Sequence, residues 1–187
     1  TRRGVVHLIR DRVGIKPLYW TQCGTTVLFA SEAKAFLAHP AFRAEIDPAH
    51  VDELLAFRYL TGEASLLKGV RHVKPGHHLT ITPDGVTEAR YWSIPDCPDT
   101  DKLRVSREDA VDRLGSLLGR SVESQLRSDV PVGCQLSGGV DSSLVAVLAL
   151  AHRRADLNAF SIVFPERRFS EEPWILAAAE AAGVISH

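Results

Sequence analysis

The residues with most chemistry in them stand together as Ser137-Gly138-Gly139-Val140-Asp141-Ser142-Ser143, between a short apolar run ending at Leu136 and another opening at Leu144. Two adjacent glycines let the backbone approach a ligand closely and turn where other residues cannot. If a helix follows, its first N–H groups lack partners and its dipole favours an anion there. Ser137, Ser142 and Ser143 add hydroxyl donors. Asp141 cannot attract phosphate, but its carboxylate can ligate the magnesium that travels with a polyphosphate. The string lacks the Gly-Lys-Ser/Thr ending of a Walker loop and the Gly-x-Gly-x-x-Gly spacing of dinucleotide folds. An ordinary serine-capped turn is the alternative reading of a bare Ser-Gly-Gly, but the full string after an apolar strand is more specific than that.

The elements needed to position this loop can be read on either side of it. Residues 131–136 form a short strand, 142–151 a helix, 159–164 a second strand, and 173–182 a helix stopped by Gly183. Strand and helix in quick alternation predict a parallel α/β unit with right-handed crossovers, and ligands bind at the carboxyl ends of such strands. Upstream, Ser106 with Asp109 resembles a capping box, with Ala110, Leu114, Leu117, Leu118 and Leu126 at helical spacing. Residues 95–105, twice broken by proline, read as a linker between residues 1–94 and 106–187.

The first part is strand-rich, with strands expected at 5–9, 17–21 and 27–30 and a short helix from a Ser31 cap through Leu37. Asp47-Pro48 starts a helix whose buried stripe would be Val51, Leu54, Leu55 and Tyr59. Residues 77–82 and 86–92 flank Pro83-Asp84-Gly85, a hairpin turn.

Composition narrows the class. The chain has 187 residues, is 45% hydrophobic and carries a formal net charge of −1 with both signs interspersed, which argues against a nucleic-acid or membrane-surface protein. No apolar run approaches the ~20 residues that span a bilayer, and no signal-peptide pattern is present. The three cysteines, Cys23, Cys97 and Cys134, are far apart and form no Cys-x-x-Cys pair. Reduced thiols in a cytoplasmic protein fit them better than disulfides or a zinc site. His77 and His78 are neighbours in a strand and point to opposite faces, so they do not read as a metal pair.

Ser137 to Ser143 resembles the pyrophosphate loop of the ATP pyrophosphatases, and the wider string DVPVGCQLSGGVDSSLVA narrows the resemblance to the glutamine-hydrolysing asparagine synthetase family. RDRVGIKPLY (from Arg10) and FASEAKA (from Phe29) resemble the late part of its glutaminase domain. Ile46-Asp47-Pro48, Lys68-Gly69-Val70, Lys74-Pro75-Gly76-His77 and Tyr91-Trp92 continue the likeness. So do Phe160-Ser161-Ile162 and Phe169-Ser170-Glu171, although the family usually has aspartate where Ser170 stands.

The resemblance implies a fold that is α/β and α+β: the C-terminal part of an N-terminal-nucleophile glutaminase sandwich over 1–94, then the first βαβα of a parallel-sheet ATP pyrophosphatase domain over 106–187. It implies ATP as substrate with Mg²⁺, and aspartate and glutamine as the parent enzyme's other small-molecule substrates. β-Aspartyl-AMP would form and react with ammonia to give asparagine. Ser137, Gly138, Gly139, Ser142 and Ser143 would surround the phosphates and Asp141 would ligate magnesium. Leu136 and Ile162 would contact the nucleotide near the adenosine, with core packing as their other reading.

No catalytic residue is assigned. The match places Thr1 far downstream of the family's nucleophile, and Cys23 and Cys97 are equally misplaced. The family's glutamine-binding segments would precede residue 1, and its second phosphate-site loop and later lysine would follow His187. The expectation is therefore a fragment, inactive alone, whose parallel sheet lacks the strand after the last helix. β-Lactam synthetases and lasso-peptide cyclases share the loop but adenylate another carboxylate, and a non-catalytic nucleotide-binding module is a further alternative. The oligomeric state stays open, a homodimer included.

Overall fold

The computed structural model describes residues 4–98, 102–152 and 157–187. Thr1 and linker residues 99–101 lie outside them. The chain divides into two compact units, Thr1–Pro98 and Asp99–His187.

The first unit contains two small antiparallel sheets. Strands β1 (Val6–Ile9), β5 (His77–Thr82) and β6 (Gly85–Arg90) form one, in the order β1-β5-β6; β2 (Tyr19–Cys23), β3 (Thr26–Ala30) and β4 (Arg71–His72) form the other, in the order β3-β2-β4. Strand alternation divides β2 between two cores. Trp20 packs with Leu8, Val73 and Leu79 of the first sheet's cluster, whereas Tyr19 and Cys23 join Phe36, Phe42 and Val70. The hairpin β5–β6 turns as expected, with Thr82 paired to Gly85 and Gly85 at φ 140°.

Two expectations for this unit are corrected. Ser31 does not cap a helix: a 3₁₀ turn runs Ala33–Ala38 from Glu32, which makes no side-chain cap bond. Asp47 does cap, accepting from the Ala49 N–H at 3.1 Å, and a 3₁₀ turn Pro48–His50 leads into α1 (Val51–Phe57). The helix has no buried stripe, however. Val51 and Leu54 are half-buried, but Leu55 is 75% exposed, and Tyr59 lies beyond the helix end at 61% exposure. The helix ends early because Arg58 takes the left-handed conformation (φ 63°) and so turns the chain away.

The second unit begins with α2 (Arg107–Gln125), whose Ser106 hydroxyl accepts from the Asp109 N–H at 3.0 Å. Then follow β7 (Gly133–Gln135), α3 (Val140–His152), β8 (Asn158–Phe160), α4 (Glu172–Ala182) and β9 (Ile185–Ser186). The three strands are parallel in the order β7-β8-β9. The sheet therefore does gain a strand after the last helix, contrary to expectation. Gly183 (φ 72°) caps α4 and reverses the chain, and the N–H of Ile185 donates to the Leu157 carbonyl at 3.0 Å.

Leu136 and Ala159 from the strands pack against Ala146 of α3 and Ile175 and Ala179 of α4, which puts both helices on one face. Small residues at 146, 159 and 179 let helix and sheet come close. On α2 the expected stripe is only partly right. Leu118 and Leu126 are half-buried, but Ala110, Leu114 and Leu117 are exposed, because the helix packs toward α3 along the side carrying buried Gly119.

Candidate functional site

At the end of β7 the chain enters the loop through Leu136, whose side chain is 2% exposed. Its N–H donates to the Phe160 carbonyl (3.0 Å), and its carbonyl accepts from the Ser161 hydroxyl (2.7 Å). Gly138 then takes φ +77°, and a Cβ there would stand 2.8 Å from Trp174 and from the backbone N of Ile175. Glycine is thus required twice, by the turn and by the close pass of α4. A Cβ on Gly139 would meet only the Ser137 Oγ, at 3.5 Å, so that position is open.

The three hydroxyls bind the loop to itself. Ser142 Oγ accepts from the Ser137 N–H at 3.2 Å, lies 3.0 Å from Ser137 Oγ, and donates to the Gly139 carbonyl at 3.2 Å; Ser143 Oγ donates to the same carbonyl at 2.8 Å. A hydroxyl has one proton, so with that of Ser142 on Gly139, Ser137 is the donor between the two serines. The Ser143 N–H also bonds the Gly139 carbonyl, at 3.1 Å, and thereby starts the α3 ladder. The N–H groups of Val140, Asp141 and Ser142 open the first turn and have no carbonyl partner within the helix.

The loop forms one wall of a cavity of about 970 Å³ at the carboxyl ends of the parallel strands. Leu136, Ser137, Asp141, Ser142 and Ile162 all line it, while Gly138, Gly139 and Ser143 shape the loop without lining it. Ile162 is 77% exposed, so core packing does not account for it. Leu136 does pack in the core, and at the cavity it has only what its buried surroundings leave. Phe160, Ser161, Phe164 and Glu171 complete the strand-end wall, and Leu118, Val122 and Leu126 of α2 supply apolar surface.

None of those four strand-end residues was singled out as a site residue from the sequence. The available signal was position: Ser161 and Ile162 directly follow β8, where α/β sheets place ligand contacts.

Asp141 is exposed in the first turn of α3, where the helix dipole favours a carboxylate. Among the described residues no group of three or more His, Cys, Asp or Glu side chains gathers as a metal site. One carboxylate beside hydroxyls and open N–H groups fits a magnesium ion that keeps its phosphate and water ligands, not an all-protein cage. Cys134 also lines the cavity, and burial pushes its thiol pKa up.

In the first unit the loop at 10–16 is built in another way. Arg10 donates to the carbonyls of Val73 (2.7 Å), Gly14 (3.1 Å) and Lys16 (3.2 Å). Asp11 accepts from the N–H groups of Ile15 (2.8 Å) and Lys16 (3.0 Å), and those bonds, Lys16's first, hold its carboxyl below the usual range. Gly14 (φ +71°) fits under the Pro75 ring. Here the charged residues are held by the chain's own backbone.

Comparison with known proteins follows the same division. A glutamine amidotransferase domain model matches residues 1–92, and an asparagine synthase model matches residues 113–187. The chain is 35% identical, over an alignment of 201 positions, to the glutamine-hydrolysing asparagine synthetase 3 of Bacillus subtilis, which covers all of this chain and 32% of that protein. Asparagine synthetase 1 of the same organism is 35% identical over 184 positions, 96% of this chain and 28% of its own length. An amidase, chyE, of Penicillium rubens is 38% identical over 141 positions, 73% of this chain and 20% of its own. The chain thus spans about a third or less of these relatives.

Proposed function

The chain belongs to the glutamine-hydrolysing asparagine synthetase family, and from that premise we propose that its second unit provides the phosphate side of an ATP-adenylating site. The observation that carries this reading is the placing of Ser137, Asp141 and Ser142 on one wall of a large cavity at the carboxyl ends of parallel strands. The N–H groups opening α3 and the hydroxyls of Ser137 and Ser142 face the phosphates, Ser143 holds the Gly139 carbonyl behind them, and Gly138 and Gly139 allow the close approach. Leu136 and Ile162 lie toward the adenosine. Asp141 would hold the magnesium that accompanies ATP, and an ion bound there would supply positive charge to the phosphate oxygens.

A carboxylate is a poor electrophile until one oxygen becomes a leaving group. In the parent reaction, aspartate attacks the α-phosphorus of ATP to give β-aspartyl-AMP and pyrophosphate. Hydrolysis of glutamine by water gives glutamate and ammonia, and the ammonia displaces AMP from the β-carbonyl to give asparagine. The loop's part is to orient the triphosphate and to stabilise the oxygens that gain charge. On this reading residues 1–94 are the end of the glutaminase domain, 95–105 a linker and 106–187 the start of the synthetase domain, in a cytoplasmic enzyme. A second reading keeps the adenylation and changes the carboxylate; one relative carries a name other than asparagine synthetase, amidase.

Calorimetry of the 187-residue chain with ATP·Mg tests the site. Saturable binding is expected, weakened by at least about ten-fold in a Ser137→Ala, Asp141→Ala variant, as loss of charge-assisted contacts implies. Undiminished binding by that variant overturns the assignment. Steady-state release of pyrophosphate or glutamate above the variant's level is not expected from a chain a third the length of its relatives.

A further inference from the structure

We propose that Ser161 is a positioning residue for the phosphate loop, acting through one peptide group; the inference rests on the nucleotide reading of the cavity. Its hydroxyl donates to the Leu136 carbonyl at 2.7 Å, a part-buried bond between residues 25 apart. Ser161's own N–H is held by the His187 carbonyl at 3.1 Å, so the donor is anchored on the β8–β9 side.

The Leu136 carbonyl and the Ser137 N–H belong to the same planar peptide, point in opposite directions and can only turn together. Ser161 therefore fixes the direction of the Ser137 N–H. That N–H donates to Ser142 Oγ (3.2 Å), and Ser142 Oγ donates to the Gly139 carbonyl (3.2 Å). A continuous hydrogen-bonded chain thus runs from the strand end of β8 through the loop to the Gly139 carbonyl just before α3, and each link polarises the next. With the Leu136 side chain locked in the core, this peptide is the hinge at which the loop could tilt. Without the Ser161 hydroxyl the carbonyl loses its partner, and the peptide is held only by the longer Ser137 N–H bond to Ser142.

The bond to Leu136 is not readable from the sequence, because the two residues are 25 apart. It lines the cavity as well, so direct ligand contact is the competing role, and the two roles differ in which ligands suffer.

The test is made on the whole chain, as wild type, Ser161→Ala and Ser161→Thr. Amide hydrogen exchange at Ser137 is expected to speed up in Ser161→Ala and to return toward wild type in Ser161→Thr, which keeps the hydroxyl. Affinity for ATP·Mg is expected to fall about ten-fold in Ser161→Ala, the size of one lost hydrogen bond, while affinity for adenosine stays within about two-fold. Unchanged exchange at Ser137, or an equal loss for ATP·Mg and adenosine, overturns the proposal. If the wild type binds neither ligand, the nucleotide reading fails; the exchange result then decides the positioning role by itself.

Discussion

The loops at 10–16 and 137–143 use the same materials and come out opposite. Each has a left-handed glycine that nothing larger could replace: Gly14 at φ +71° beneath Pro75, and Gly138 at φ +77° against Trp174 and Ile175. Each has an aspartate. In the first, Arg10 and Asp11 bond backbone groups of the loop and of Val73, and Tyr91's hydroxyl adds a 2.6 Å bond to the Arg10 carbonyl. In the second, hydroxyls tie the loop to itself, while Asp141 and the first turn of α3 face a cavity. A motif's residue types do not distinguish a clamp from a ligand loop. What distinguishes them is whether the charged group and open N–H groups point at the chain or at a space.

The glycines give the largest expected break in this comparison. Gly14→Ala and Gly138→Ala should each destabilise their own unit by about 2–4 kcal/mol, from left-handed strain plus overpacking. Only Gly138→Ala should also abolish ATP·Mg binding in calorimetry of folded protein. If Gly14→Ala weakens binding as much, or Gly138→Ala spares it, the contrast between clamp and ligand loop fails.

A smaller effect is the pH dependence that Asp11 gives the first loop. The Lys16 and Ile15 N–H groups lower Asp11's pKa below its ordinary 3.8. Its unfolded state therefore binds the proton first. The contribution to stability is whole above about pH 3.8 and is lost as pH falls through the folded value. Asp11→Asn should flatten the acid limb of the first unit's melting curve. An unaltered limb would show that the clamp does not depend on the charge.

The smallest effect belongs to His72, whose ring lies 4.1 Å from that of Tyr19 and whose Nδ1 is buried with no hydrogen-bond partner. Burial first, and then the Arg10 charge, lower its pKa from 6.5. The neutral ring's contribution is whole above pH 6.5 and declines as pH falls toward the lowered value. His72→Phe, which keeps the ring contact, should remove this weak dependence near pH 6. A dependence that persists in the variant would assign it to another group.

Much of the site was legible because it is local. Glycines, hydroxyls and an aspartate between a strand and a helix are a pattern readable without reference to anything distant, and the structure builds that strand, loop and helix at 133–152; that the loop faces a cavity is not written in those residue types. The caps at Asp47, Ser106 and Gly183 were readable for the same reason, since each bond spans a few residues. The faces of α1 and α2 were not. Periodicity says that a helix has an apolar stripe, not that anything packs on it, and Leu55, Leu114 and Leu117 remain exposed.

The sequence by itself determined the turn and helix start at residues 137–143, the hairpin at 82–85 and the alternation of strands and helices around the loop. These are set by backbone sterics and neighbouring donors within one turn. The tertiary structure decided that Leu136 is a core residue and that Ile162 faces the cavity. It also brought Ser161 to the Leu136 carbonyl and gave the sheet its third strand at Ile185–Ser186. Each of those depends on pairing with a chain segment far along the sequence, which no local pattern encodes.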